Sequence, residues 1–162
     1  MCGIFGYCGT KNNAGAVVIK GLKNLEYRGY DSWGVAIQEK DAIKIVKDIG
    51  KISLIDVKDF GDVSSVAMAH SRWATHGGVT KENAHPHLSD DGSIAVIHNG
   101  IVENFQELRK ELLAKGHTFQ SETDTEILAK LIYQNYENDP GHDLLKAVKK
   151  TLPKVRGTYG LA

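Results

Sequence analysis

The sequence is sparing with the residues that mark specialised chains. Among 162 residues there are two cysteines, three prolines and 7% aromatics. Two cysteines cannot supply the disulfide framework on which small secreted domains depend, and neither belongs to a Cys-x-x-Cys pair. Charge of one sign is also missing. Twenty basic side chains face twenty acidic ones, so there is no electrostatic case for nucleic acid or an anionic membrane as partner. No apolar run approaches transmembrane length, and the N-terminus lacks the basic segment and apolar core of a signal peptide. A cytoplasmic chain is expected. What is present is ordinary for a folded globular protein: 41% hydrophobic and 25% charged residues, at a length that suits one domain with its own core. There is no internal repeat and no low-complexity tract.

Hydrophobic spacing predicts four helices. Ala14, Val17, Val18, Leu22 and Leu25 fall in steps of three and four over 14–26, with Asn13 as a candidate cap. A second helix is expected over 105–115, opened by Asn104 and Glu107 as a capping-box-like pair and stopped by Gly116. A third begins after Thr123, with Glu126 three residues on, and ends at the turn Asp139-Pro140-Gly141. A fourth covers 143–152, before Pro153. Strands are expected at 2–8, 33–37, 43–47, 65–70 and 93–98, the last after the turn Asp90-Asp91-Gly92. Residues 155–162 read as a strand that runs to the last residue, which suggests a sequence that continues further. Strands grouped apart from helices predict an α+β fold with antiparallel sheets. In the 2–8 strand, Cys2 and Cys8 would lie about 20 Å apart at about 3.3 Å per residue, too far for a disulfide. Cys8 then reads as a small buried residue.

The chemistry concentrates in short polar clusters. Cys2 directly follows Met1. If Met1 is removed, Cys2 carries a thiol and the free α-amine, a nucleophile and a proton acceptor on one residue. Their ordinary pKa values, about 8.5 and roughly 7.7–8.0, suit proton exchange near neutrality. Asn99 offers a side-chain NH₂ donor, and Gly100 a backbone N–H that can approach a ligand closely; together they could form an oxyanion hole. Arg72 can grip a carboxylate bidentately, and Asp124 can hold an ammonium group. Such a pair recognises a free amino acid by its two charges and presents a side-chain amide to the thiol, which describes glutamine or asparagine. Each residue alone has a plainer reading. Asn99-Gly100 is a common turn dipeptide; Asp124 is a first-turn carboxylate; Arg72 is a surface charge; and Trp73 is core or a cover. His76 or His98 could instead pair with Cys2 as a thiol–imidazole dyad. His85-Pro86-His87 lacks further ligands at zinc spacing, so no metal is expected, and nothing calls for a cofactor.

Taken in order, Cys2-Gly3-Ile4, Leu25–Ser32 (Leu-Glu-Tyr-Arg-Gly-Tyr-Asp-Ser), Arg72–Gly77 (Arg-Trp-Ala-Thr-His-Gly), Asn83–His87 (Asn-Ala-His-Pro-His), His98-Asn99-Gly100 and Ser121–Glu126 (Ser-Glu-Thr-Asp-Thr-Glu) closely resemble the type 2 glutamine amidotransferases. The likeness is to the glutaminase domain of glutamine–fructose-6-phosphate aminotransferases (glucosamine-6-phosphate synthases), and it covers nearly the whole chain. The resemblance implies an N-terminal-nucleophile hydrolase fold, a four-layer αββα sandwich of antiparallel sheets, here C-terminally truncated. It implies that Cys2 attacks the glutamine γ-amide while Asn99 and Gly100 stabilise the oxyanion. Arg72 would bind the substrate carboxylate with Thr75 and His76 in support, and Asp124 would bind the amine. Arg28 and Gly29 would position the nucleophile, Trp73 would border the pocket, and His85 would shape the loop around it. The implied partner is a sugar isomerase domain acting on fructose 6-phosphate, absent from this sequence, in a homodimeric full-length enzyme. Trp33 stands where relatives usually carry a small residue. The nearest rival is the glutaminase of amidophosphoribosyltransferase, which has pocket motifs similar in kind. A glutamine-binding fragment without a competent nucleophile and a cysteine peptidase are the readings from other classes.

Overall fold

The computed structural model describes residues 2–60, 64–75 and 77–162. Its main sheet has four antiparallel strands in the order β1-β4-β2-β3: β1 (Gly3–Cys8), β2 (Ser32–Gln38), β3 (Ile43–Ile49) and β4 (Val66–Arg72). Helix α1 (Ala14–Lys23) lies on one face of this sheet. Ala14, Val18 and Leu22 of the predicted stripe are buried, joined by Ile19, and meet Val35, Ile37 and Ala69 from the strands. Full burial of each large aliphatic contributes roughly 1.5–3 kcal/mol. Trp33 is part of this core, 3% exposed, with its ring edge-on to Phe60 at 6.5 Å. The large indole is thus accommodated by stacking rather than by exposure.

The other face of the sheet meets a second, smaller antiparallel layer. It consists of β5 (His87–Leu88) paired with β6 (Ala95–Val96), and β7 (His98–Val102) paired with β8 (Gly157–Leu161). Helices α2 (Phe105–Ala114), α3 (Thr125–Glu137) and α4 (Leu144–Thr151) form the outer layer beyond it. A second core sits there, from Val96, Val102, Leu108, Leu112, Ile127, Leu128, Leu131 and Ala147. The layer order α–β–β–α is the one the resemblance implies. Gly34 marks the close approach of the two sheets: a Cβ there would run into the His85 carbonyl, so only glycine lets the layers touch at that point.

Local details depart from the sequence expectations. Asn13 and Asn104 precede α1 and α2 but make no side-chain cap bond. Asn104 instead spans to the chain before β8, donating to the Lys154 carbonyl at 2.9 Å and accepting from the Arg156 amide at 2.9 Å. A long-range pairing has outcompeted the local cap. The single strand expected at 93–98 is split into β6 and β7, and Asn99-Gly100 lies inside β7 rather than in a turn. Gly100 has φ +148° and lies so close to β8 that a Cβ would meet the Thr158 carbonyl; glycine here permits close strand pairing, not a reversal. Cys8 is exposed, not buried, because β1 is an edge strand and Cys8 ends it on the face away from α1, at the opposite end of the strand from Cys2. Neither cysteine is bridged. Among the described residues no helix is long and apolar enough to cross a membrane.

Candidate functional site

Sheet register decides where Cys2 sits. Because β1 pairs with β4 through Gly3↔Ser71, the residue before β1 falls beside the chain leaving β4 at Arg72-Trp73. The Trp73 amide donates to Cys2 Sγ at 3.2 Å, and Sγ lies 3.6 Å from the Trp73 carbonyl oxygen. The Cys2 carbonyl is held from two further segments: Arg28 Nε donates to it at 3.1 Å and Asn99 Nδ2 at 3.3 Å. Gly29 lets the loop after Arg28 lie against the Arg72–Trp73 backbone, where a Cβ would collide. Cys2 is therefore held by three segments distant in sequence, its thiol by Trp73 and its carbonyl by Arg28 and Asn99.

A cavity of about 40 Å³ opens at this thiol, lined by Cys2, Arg72, Trp73, His85, Asn99 and Asp124, with Thr75, His98, Gly100, Thr123 and Thr125 completing it. A larger space of about 900 Å³ lies at the far ends of β2 and β4 beside β5 and β6, lined by Ala36, Gln38, Met68, Leu88 and Ile94 among others. Its lining contains no cysteine, histidine or arginine, whereas the smaller cavity gathers all three, so chemistry favours the smaller cavity.

Asp124 enters at the start of α3. It is 7% exposed, and its Oδ2 accepts from the Val102 amide at 2.7 Å. The carboxylate also lines the cavity, and its second oxygen makes no hydrogen bond among the described residues, which suits it to a cation. Arg72 is also buried. Its Nη1 donates to the Gly78 carbonyl at 3.0 Å, and Nη2 reaches the Gly77 carbonyl at 3.5 Å. Burial lowers its pKa from the ordinary arginine value, opposed by the nearby carboxylates of Asp31, Asp124 and Glu122. Arginine starts so far above neutrality that the cation stays intact.

The loop after β4 is tied down by side chains the sequence reading did not single out. Asp31 Oδ2 accepts from the Ala74 amide at 2.9 Å. Asn83 Nδ2 donates to the Gly78 carbonyl at 3.0 Å and to Glu122 Oε2 at 3.1 Å, while Glu122 Oε2 also takes the Gly78 amide at 3.2 Å. Asn83 and Glu122 each belong to a motif, but only the tertiary pairing shows that they bind the same loop. Trp73 is 44% exposed and meets Tyr30 edge-on at 5.6 Å, so it borders the cavity instead of filling a core.

Histidines pack behind the cavity. His85 stacks on His70 with ring centres 4.4 Å apart, and its Nδ1 accepts from the His98 amide at 3.4 Å. Burial pushes both His85 and His87 well below the usual imidazole range, with neighbouring cationic groups adding to it. His98 is committed on both ring nitrogens, Nδ1 to Thr125 Oγ1 at 3.0 Å and Nε2 to the Thr158 carbonyl at 3.3 Å. It forms no dyad with Cys2, which corrects that alternative. The same alternative for His76, and the supporting role expected of it, lie outside the described residues, as does Met1. Among the described residues no cluster of three or more His, Cys, Asp or Glu side chains could hold a metal ion.

Comparison with known proteins agrees with this geometry. The glutamine amidotransferase domain profile matches residues 56–149. The chain is 48% identical over 164 residues to glutamine–fructose-6-phosphate aminotransferase (isomerizing) from Thermus thermophilus, a match covering 99% of this chain and 26% of that protein. To the protein of the same name from Fusobacterium nucleatum it is 47% identical, covering 100% of this chain and 26% of the relative. It thus spans about a quarter of the length of these curated relatives. Among solved structures, the glutamine phosphoribosylpyrophosphate amidotransferase of B. subtilis, complexed with ADP and GMP, superposes with a TM-score of 0.80 at 27% identity, over 99% of this chain and 34% of that one. On fold, on the matched profile and on the convergence of its motifs, the chain belongs to the glutamine amidotransferase domain family.

Proposed function

We propose that this chain is the glutaminase part of a glutamine–fructose-6-phosphate aminotransferase, hydrolysing the glutamine side-chain amide through Cys2. The observation that carries the reading is the gathering of a thiol, a carboxamide donor and a buried carboxylate at one cavity from residues 2, 99 and 124. The 48% identity to the aminosugar relative, against 27% to the B. subtilis amidotransferase, favours this acceptor chemistry over the purine one.

In the proposed cycle Met1 has been removed. The Cys2 α-amine takes the thiol proton as sulfur attacks the γ-carbonyl carbon. The carbonyl oxygen becomes an oxyanion, stabilised by Asn99 Nδ2–H and the Gly100 N–H. Collapse breaks the C–N bond, the amine's proton passes to the leaving nitrogen, and ammonia departs from a γ-glutamyl thioester. Water, deprotonated by the same amine, then attacks the thioester and releases glutamate and the thiol. Arg72 receives the α-carboxylate, with Thr75 and His76 beside it, and Asp124 receives the α-ammonium. Arg28 and Gly29 keep Cys2 in place, and His85 supports the wall.

The remaining three quarters of the relatives' length fits an acceptor domain, here a sugar isomerase using fructose 6-phosphate in a homodimer. A sugar phosphate cannot cross a bilayer, which favours the cytoplasm as the compartment. The test is ammonia release from glutamine by chain whose intact mass shows loss of Met1. Turnover is expected from the processed chain and not from chain that retains methionine, whose Cys2 nitrogen is an amide. Equal turnover by both would remove the free-amine mechanism.

A further inference from the structure

His70 lies on β4 with no solvent exposure, and it does not line the cavity. Its Nε2 is 2.8 Å from Asn99 Oδ1, while the other end of the same carboxamide, Nδ2, points to the Cys2 carbonyl at 3.3 Å. We propose that His70 is a positioning residue: by donating from Nε2 to Asn99 Oδ1 it forces the amide NH₂ of Asn99 to face Cys2, where the oxyanion forms. The inference rests on the glutaminase reading above and adds a residue to it.

Donor and acceptor counting decides which way the Asn99 amide points. A carboxamide has one donor end and one acceptor end, and a half-turn about its last bond exchanges them at little steric cost. Nothing in Asn99 itself selects the catalytically useful orientation. If the oxygen faced Cys2, it would meet the Cys2 carbonyl oxygen and the developing negative charge, both acceptors. The Cys2 carbonyl selects the useful orientation from one end of the amide, and His70 locks it from the other when its proton is on Nε2. The surroundings favour that tautomer. His70 Nδ1 is buried without a partner among the described residues. With the proton on Nε2 the unpartnered atom is a lone pair; on Nδ1 it would be a stranded N–H, and Nε2 would face Oδ1 lone pair to lone pair. The ring also stays neutral. Burial is the main cause of a pKa near 4, the bond to Asn99 opposes it, and Arg72 and His98 add to the lowering. Stacking on His85 at 4.4 Å and 13° fixes the ring plane, so Nε2 cannot swing away.

The test compares glutaminase kinetics of the Met1-processed wild type with His70→Leu, His70→Gln, Asn99→Ala and the double variant His70→Leu/Asn99→Ala. Loss of one oxyanion donor lowers rates by about 10²–10³, so His70→Leu is expected to lower kcat by roughly 10² while KM for glutamine and calorimetric binding of glutamate stay close to wild type. Gln, whose terminal NH₂ reaches as far as Nε2, restores most of kcat. In the double variant, His70→Leu adds little to the loss already caused by Asn99→Ala. Wild-type kcat in His70→Leu, equal losses in Leu and Gln, or losses that multiply in the double variant would each overturn the proposal. If thermal melts show that the Leu variant does not fold, His70→Asn takes its place: it is polar but too short to reach Asn99, and it should behave as Leu. Absence of turnover by the processed wild type, or turnover unchanged in Cys2→Ala, would instead remove the glutaminase reading itself and this inference with it.

Discussion

The two walls of the cavity are built on different physics. One wall is the end of the main sheet. Cys2, Arg72 and Trp73 are placed there by strand register and backbone hydrogen bonds, above a core of aliphatic side chains and α1. The other wall is the start of α3 and the segment before it, where buried polar groups hold one another. Glu126 is 4% exposed, and its Oε2 accepts from the Ser121 amide at 2.7 Å and from Ser121 Oγ at 2.6 Å, while Oε1 takes the Gln120 amide at 3.0 Å. Thr123 Oγ1 lies 2.9 Å from His87 Nε2, and buried Lys130 reaches Asp90 at 2.7 Å. The sheet wall owes most of its shape to strand register and apolar burial, with His70 on β4 as a buried group there that answers to protonation. The helix wall owes its shape mainly to charges and neutral imidazoles, which depend on protonation throughout. Cys2, the proposed nucleophile, stands on the wall set mainly by register, and the candidate ammonium site stands on the conditional one.

The largest effect expected is at the nucleophile. Cys2→Ala should remove turnover by at least about 10⁴-fold yet shift Tm by no more than about 2 °C, because the half-buried thiol makes only weak sulfur contacts to the Trp73 backbone. Assaying ammonia release beside a thermal melt checks both, and a large loss of stability would deny that this wall is built by register alone. Next come matched lesions in the two walls. Ile37→Ala in the sheet core should cost about 2–5 kcal/mol. Glu126→Gln puts an NH₂ against N–H donors, and should cost about 2–4 kcal/mol. Denaturant melts across pH separate them. The Ile37 variant should keep the wild-type pH dependence, whereas the Glu126 variant should also raise KM for glutamine as the Ser121–Asp124 segment shifts. Equal KM values would mean that Asp124 is held by something other than this network.

Much of this contrast is legible in the residues themselves. The helices at 14–23, 105–114, 125–137 and 144–151 fall where three- and four-residue apolar spacing puts them, because each buries one face and the pattern is local. Cys2, Asn99, Arg72 and Asp124 stand out by chemical type. What stays hidden depends on pairing at a distance. Gly100 reads as a turn until β8, nearly sixty residues on, comes to lie against it. Asn104 reads as a cap until Lys154 and Arg156 compete for it. His70 reads as the end of a strand, because nothing between residues 70 and 99 announces that the two side chains meet. Cys8 reads as buried and is exposed, since edge position is a property of strand order, which no local window contains.

Acid should break the pairing between the walls more than either wall alone. His70 titrates near 4 instead of 6.5 when folded, and His85 and His87 are lowered in the same direction by burial. An unfolded chain therefore binds more protons than the folded one below about pH 6.5. Their contribution is fully present above that pH and is lost as pH falls through the folded values. From His70 alone the loss should approach roughly 3 kcal/mol by about pH 4 and below. A stability curve that is flat from about pH 7 to 4.5, measured with urea, would mean that these imidazoles are not buried neutral between the layers.

The smallest effect sharpens the contrast from outside the cavity. Asp143 caps α4, its Oδ1 accepting from the Lys146 amide at 3.0 Å. Helix α4 packs on α3, and Asn135 Nδ2 bonds Thr151 Oγ1 at 2.9 Å across that contact. Asp143→Ala should cost about 1 kcal/mol, or about 3 °C in Tm. The cap is exposed and touches neither the Glu126 network nor the histidines, so the variant should keep the wild-type pH slope and glutamine KM. If KM rises with so small a loss, the conditional wall extends through α3 to α4, and the whole helical layer, not only the Ser121–Glu126 segment, sets the geometry at Asp124.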